Sequence, residues 1–207
     1  MVIISRQTIA QKLIDINALK VNVQEPFTWS SGIQSPVYCD NRLTMSYPDV
    51  RQTIAKAFVN EIKGLDVDVI AGCATAGIPH AAFVSDQLNL PMVYVRSKPK
   101  GHGLENMIEG KVDQGERVVV IEDLISTGTS AIKAAEALRE QGCHVVKVLS
   151  IFSYGLNEAE DNFKEGGLEY ESLVTFDDVA SLLTTNGNIT ETEREQVLNW
   201  RDDLVLS

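Results

Sequence analysis

Two consecutive carboxylates, Glu122 and Asp123, follow the aliphatic run Val118-Val119-Val120-Ile121 and lead into Leu124-Ile125-Ser126-Thr127-Gly128-Thr129-Ser130. Four aliphatic residues predict a buried strand, and the small hydroxyl-rich stretch after it predicts a loop opening a helix. The first amides of a helix have no partner within it and favour an anion, and Gly128 lets a backbone come close. Residues 126–130 therefore read as a cradle for a monophosphate. No Gly-Lys-Ser/Thr follows, so this is not a Walker loop. Glu122 and Asp123 lie too near a bound phosphate to hold it. They make sense if the ligand also carries vicinal hydroxyls, or a metal. Helix capping by the Ser/Thr/Gly residues is expected as part of their use, but it leaves two adjacent carboxylates unexplained.

A second chemical signal is basic. The formal net charge is -11, yet residues 87–104 contain no acid and bring Arg96, Lys98, Lys100 and His102 within seven positions. A basic run among glycines in an acidic chain reads as a site for a small anion. The same net charge argues against general nucleic-acid binding.

These residues need a scaffold that repeats strand, loop and helix. Val67-Asp68-Val69-Ile70-Ala71 reads as a buried strand, followed by a loop at 72–77 and a helix to about Leu88. Met92-Val93-Tyr94-Val95 is another strand, then comes a glycine-containing loop, the strand 118–121, a helix over 130–141 closed by Gly142, and a strand over 145–152. This order implies βαβ crossovers: an α/β fold with a mainly parallel sheet and helices on both faces. In such sheets ligands bind beyond the carboxyl ends of the strands, where both chemical segments fall. Before this core, Ile9, Leu13, Ile16 and Leu19 recur at helical spacing, Val37-Tyr38-Cys39 is a short strand, and Pro48-Asp49 opens a helix ended by Gly64. After it come a polar helix near Glu158, a strand near 172–176, and helices around 179–183 and 191–202.

The 207 residues suit a single domain, 1–207, able to bury a core without staples. Cys39, Cys73 and Cys143 are widely spaced and read as reduced, mostly buried thiols, with Cys73 filling space in its loop. The start lacks the apolar core of a signal peptide and no apolar run approaches a membrane span, so a cytoplasmic protein is expected. His80, His144, Trp29 and Trp200 receive no chemical role.

Residues 118–130 resemble the phosphoribosyl pyrophosphate (PRPP) motif of type I phosphoribosyltransferases. Three further stretches resemble orotate phosphoribosyltransferases in their Gram-positive-like form: Arg96-Ser97-Lys98-Pro99-Lys100-Gly101-His102-Gly103 with Ile108-Glu109-Gly110, Ser35 through Arg42, and Gly72 through His80. The resemblance implies transfer of ribose 5-phosphate from PRPP to orotate, a step of pyrimidine (UMP) biosynthesis. It implies that Glu122 and Asp123 meet the ribose hydroxyls, that Leu124 through Ser130 (Leu124, Ile125, Ser126, Thr127, Gly128, Thr129, Ser130) bind the 5-phosphate, and that Ser126 touches orotate. Thr75-Ala76-Gly77 corresponds to the loop beside the pyrophosphate, and Arg96, Lys100 and His102 to residues contacting it. Residues 97–115 then form a mobile catalytic loop and lid, and a small N-terminal hood accompanies the domain. Lys100, His102 and Asp123 are the expected catalytic groups. Mg²⁺ is the expected cofactor, held mainly by PRPP with Asp123 as a possible protein contact. A homodimer with active sites shared between subunits is also implied.

Two departures stand out. Ser97 occupies the place after the loop arginine where many members are basic. The strand near Ile151-Phe152-Ser153-Tyr154 lacks the arginine that often grips the orotate carboxylate, which leaves backbone amides near Ser31-Gly32 for that task. A purine-type phosphoribosyltransferase shares the acidic pair but predicts a hood without the 96–102 pattern. A PRPP-sensing regulator of nucleic acid would need a broad basic face.

Overall fold

The computed structural model describes residues 4–28, 34–98 and 107–204. Trp29, Ser31, Gly32, Lys100 and His102 lie outside the described residues.

The chain runs α1 (Arg6–Asp15), β1 (Leu19–Val21), β2 (Phe27–Thr28), β3 (Gln34–Ser35), β4 (Val37–Cys39), a 3-10 turn (Asn41–Ser46), α2 (Pro48–Ile62), β5 (Val69–Cys73) and α3 (Gly77–Leu88). It continues through β6 (Met92–Val95), β7 (Ile108–Glu109), β8 (Arg117–Ile125), α4 (Thr129–Glu140), β9 (His144–Ser153), α5 (Asn157–Glu165), β10 (Tyr170–Thr175), α6 (Phe176–Thr185) and α7 (Glu191–Asp202). Six strands form one sheet in the order β10-β9-β8-β5-β6-β7. All its pairings are parallel except that of β7, which runs antiparallel at the edge beside β6. The expected α/β architecture is present.

Why β8 sits between β9 and β5 follows from its side chains. Val118, Val119, Val120 and Ile121 are all fully buried, each contributing about 1.5–3 kcal/mol relative to exposure. Alternation sends them to two cores. Val119 and Ile121 join Ile54 and Phe58 of α2 and Val84 of α3. Val118 and Val120 join Ala134 and Leu138 of α4 and Phe163 of α5. A strand apolar on both faces can only be central, with helices on either side.

Two expectations are corrected here. Leu19, which continued the helical spacing of α1, lies in β1 paired with Cys39. The helix ends because Asn17 takes the left-handed conformation (φ 58°), and Ala18 N–H returns to the Leu13 carbonyl at 2.9 Å. Asn tolerates that conformation, so it stops a helix whose apolar spacing would have continued. Second, the loop expected over 97–115 is interrupted by β7. Tyr94 pairs with Glu109 and Val95 with Ile108, and Met107 is buried. Two residues at a sheet edge carry no readable alternation, so the sequence does not show them.

Candidate active site

Three loops leave the carboxyl ends of β5, β6 and β8, and the sheet order places these strands side by side. The first, 74–77, begins with a cis peptide at Ala74–Thr75 and opens α3. It lies against β8 because Gly77 has no side chain: a Cβ there would overlap the Ile121 carbonyl oxygen and sit 3.3 Å from the Glu122 Cα. The predicted Thr75-Ala76-Gly77 loop and the acidic pair are thus brought together.

The second loop follows Arg96. Its N–H donates to the Met107 carbonyl at 2.8 Å, and its guanidinium pairs with Glu109 at 3.3 Å. Both side chains are about one-third exposed, and a pair so open to solvent is worth about 0–1 kcal/mol. Arg96 can therefore exchange Glu109 for a more highly charged anion at little cost. Ser97 and Lys98 follow it; Lys100 and His102 lie beyond the described residues.

The third loop is the cradle. Gly128, with φ 78°, precedes α4, and a Cβ on it would come within 2.5 Å of the Phe163 ring. Only glycine meets both the conformation and the contact. Of the Ser/Thr/Gly residues expected to cap this helix, Gly128 occupies the cap position, without a side-chain bond. The helix ladder begins with Ile132 N–H to the Gly128 carbonyl at 3.0 Å, so the amides of Thr129, Ser130 and Ala131 have no partner inside the helix. They face a hollow of about 60 Å³ walled by Glu122 and residues 124–131. Larger hollows occur elsewhere, such as one of about 210 Å³ beside Arg6 and Glu171, but it lies at none of the three loops. Ser126 and Thr127 are half-buried, and Thr129 and Ser130 are exposed. Ile125, expected among the binding residues, buries its side chain in the core and gives its carbonyl to Tyr154 N–H at 3.0 Å. Leu124 likewise packs against the core. Both support the site through the main chain.

The two acids differ. Glu122 is buried and accepts the Asp123 N–H at 3.0 Å. Burial, then the hydrogen bond and charge of Asp123, holds its carboxyl well above the usual carboxylate range. Asp123 is half-buried and is the member open to a ligand. Cys73 is buried near Glu122: burial, followed by the Glu122 charge, pushes its thiol up. All three cysteines are free.

Sequence reasoning missed three supports. Asn162 of α5 donates to the Thr127 carbonyl at 3.0 Å, Phe163 packs against Gly128, and Asn41 donates to the Asp123 carbonyl at 2.7 Å. Each lies more than thirty residues from its partner in the chain, and no local pattern marks it.

No three carboxylate, histidine or cysteine side chains cluster as a metal cage among the described residues. Asp123, half-exposed beside the cradle, can give one carboxylate. Such a donor set fits Mg²⁺, which keeps its waters and takes most of its oxygens from a phosphorylated substrate.

The fold has known counterparts. A model of the phosphoribosyl transferase domain matches residues 45–185. The orotate phosphoribosyltransferase of Oceanobacillus iheyensis is 52% identical over 198 residues, covering 95% of this chain and 98% of that protein. That of Bacillus subtilis is 50% identical over 200 residues, covering 96% and 93%. The chain belongs to the orotate phosphoribosyltransferase family. Among solved structures, the orotate phosphoribosyltransferase of Aeropyrum pernix is 30% identical with a TM-score of 0.74, covering 87% of this chain and 99% of that one. The UMP synthase of Leishmania donovani matches with a TM-score of 0.77 at 28% identity over 94% of this chain, which spans 41% of that longer protein. The phosphoribosyl transferase match contains β5, β6 and β8 with the loops that follow all three, and α4 with the α5 support. Asn41 lies outside it.

Among the described residues no helix is long and apolar enough to cross a membrane.

Proposed function

We propose that this protein is an orotate phosphoribosyltransferase: it transfers the ribose 5-phosphate of PRPP to orotate, giving orotidine 5'-monophosphate and pyrophosphate in cytoplasmic pyrimidine synthesis. The observation that carries the reading is the junction of Asp123 with a cradle of free helix amides, in a chain half identical to curated orotate phosphoribosyltransferases.

In this reaction the bond from C1 of the ribose to the pyrophosphate oxygen breaks and a bond from C1 to the orotate ring nitrogen forms. Positive charge builds on the sugar and negative charge on the leaving group. Amides 129–131 hold the 5-phosphate and fix the sugar. Asp123 receives the ribose hydroxyls and lays negative charge beside the developing cation. Arg96, Lys100 and His102 supply cations to the pyrophosphate, with Lys100 the main stabiliser of the departing charge, worth about 3 kcal/mol. His102 is a second contact or gives the proton. Ser126 donates to orotate, and the 74–77 loop borders the pyrophosphate. Mg²⁺ on the PRPP oxygens, with Asp123 as the protein contact, would neutralise charge on the leaving group. Closure of the lid excludes water that would otherwise capture the sugar cation. Two subunits share the sites, each lending its 96–102 loop to the other.

A base screen tests the reading. With PRPP and Mg²⁺, orotate is consumed while adenine, hypoxanthine and uracil react poorly. Turnover of hypoxanthine with none of orotate overturns it in favour of a purine-type enzyme.

A further inference from the structure

The β5–β8 pairing ends at Gly72 and Ile121. Two residues further along β8, the Asp123 carbonyl is held by a side chain: Asn41 Nδ2 donates to it at 2.7 Å. Asn41 is itself fixed at every polar group the structure shows in use. Its Oδ1 accepts the Cys39 thiol at 3.3 Å. Its carbonyl accepts the Thr44 hydroxyl at 2.5 Å. That hydroxyl stands 3.2 Å from His80 Nε2 on α3. Because the Thr44 proton is committed to Asn41, the ring nitrogen is the donor in this contact, which sets His80 as the Nε2–H tautomer. Asn41, Thr44 and His80 are each about 1% exposed or less.

Burying three polar side chains is costly unless they satisfy one another. An apolar trio could pack α3 against the 3-10 turn without that cost, so packing alone does not account for the choice. What the polar chain adds is direction. It ties two elements outside β8 to one carbonyl of one residue, and that residue is the half-buried carboxylate beside the cradle.

We propose that Asn41 is a positioning residue for Asp123, with Thr44 and His80 as its supports: the chain holds the Asp123 backbone so that its carboxylate is presented to the ribose hydroxyls of PRPP. This rests on Asp123 being the ribose-binding acid. Losing one fixed hydrogen bond should weaken PRPP binding about three- to tenfold, without removing the charged group itself.

The test is titration calorimetry with PRPP and Mg²⁺ on the full chain, alongside thermal melting, for Asn41→Ala, Thr44→Val and Thr44→Ser. The expected result is a PRPP Kd raised about three- to tenfold in Asn41→Ala and in the near-isosteric Thr44→Val. Thr44→Ser, which keeps the hydroxyl, restores it. A lower melting temperature with an unchanged Kd in Asn41→Ala and Thr44→Val shows a structural tie only and overturns the proposal. If Asn41→Ala does not fold, the Thr44 pair decides: equal Kd values for Val and Ser overturn it. Wild-type turnover separates the two readings. A wild type that binds PRPP and rejects orotate removes the orotate assignment and leaves this inference to the Kd series. A wild type that binds no PRPP removes both.

Discussion

Gly77 and Ile121 touch so closely that the amino end of α3 lies on the main chain of β8. The contact joins the loop expected beside the pyrophosphate to the strand carrying the acidic pair, so the two cannot move independently. Gly77→Ala puts a methyl group into the Ile121 carbonyl, and the backbone on both sides must give. Overpacking of this kind costs about 1–3 kcal/mol. The expected outcome is a lower melting temperature together with weaker PRPP use. Unchanged melting and kinetics would show that the two segments separate freely.

Asp123→Asn keeps the shape of the side chain and removes the charge proposed to lie beside the sugar. It should depress kcat/KM for PRPP strongly, while a circular dichroism spectrum stays that of the wild type. Ser126→Ala removes one hydroxyl and should act mainly on orotate, raising its KM by the equivalent of about 0.5–1.5 kcal/mol. Steady-state kinetics with each substrate varied in turn checks both. An orotate KM untouched by Ser126→Ala removes that contact.

Burial lowers the pKa of His80 from 6.5 to about 4, so the folded protein keeps this ring neutral where the unfolded chain would protonate it. The sign follows: a base with a depressed folded pKa contributes nothing above 6.5 and destabilises the fold as pH falls from 6.5 toward 4. The penalty approaches about 3 kcal/mol at the acid end. Gln at position 80 offers an amide nitrogen near Nε2 and does not titrate. Melting curves at pH 5 and pH 7.5 should differ less for His80→Gln than for the wild type. Equal pH dependence in the two proteins would mean that His80 titrates normally.

Much of the site was legible because its chemistry is contiguous in the chain. The run from Val118 to Ser130 carries strand, acids and cradle together, and its four aliphatic residues mark a buried strand, while its place in the strand order comes only from the structure. The supports were not legible, for a physical reason. Asn162 and Phe163 reach the cradle by folding back through α5, and Asn41 reaches Asp123 from the 3-10 turn, 82 positions away. Such contacts depend on packing between elements, about which local periodicity says nothing. Which of the Ser/Thr/Gly residues caps α4 was not legible for a related reason: Gly128 takes the cap position because Phe163 leaves no room for a side chain.

Shared sites are tested by mixing two defective proteins. Lys100→Ala and Asp123→Asn should each be nearly inactive alone. In a two-fold dimer with exchanged loops, the mixed dimer has one site with both defects and one with neither. Activity should reappear after subunit exchange. A mixture that exchanges subunits and stays inactive rules out the shared site.

The measurement that bears most directly on the function is orotate consumption, followed by its ultraviolet absorbance, with pyrophosphate measured in parallel. The prediction is that orotate falls only when PRPP and Mg²⁺ are both present, with one pyrophosphate released per orotate lost, and that a chelator stops both. Orotate that stays constant with PRPP and Mg²⁺ present, while a purine base is consumed in its place, would contradict the account.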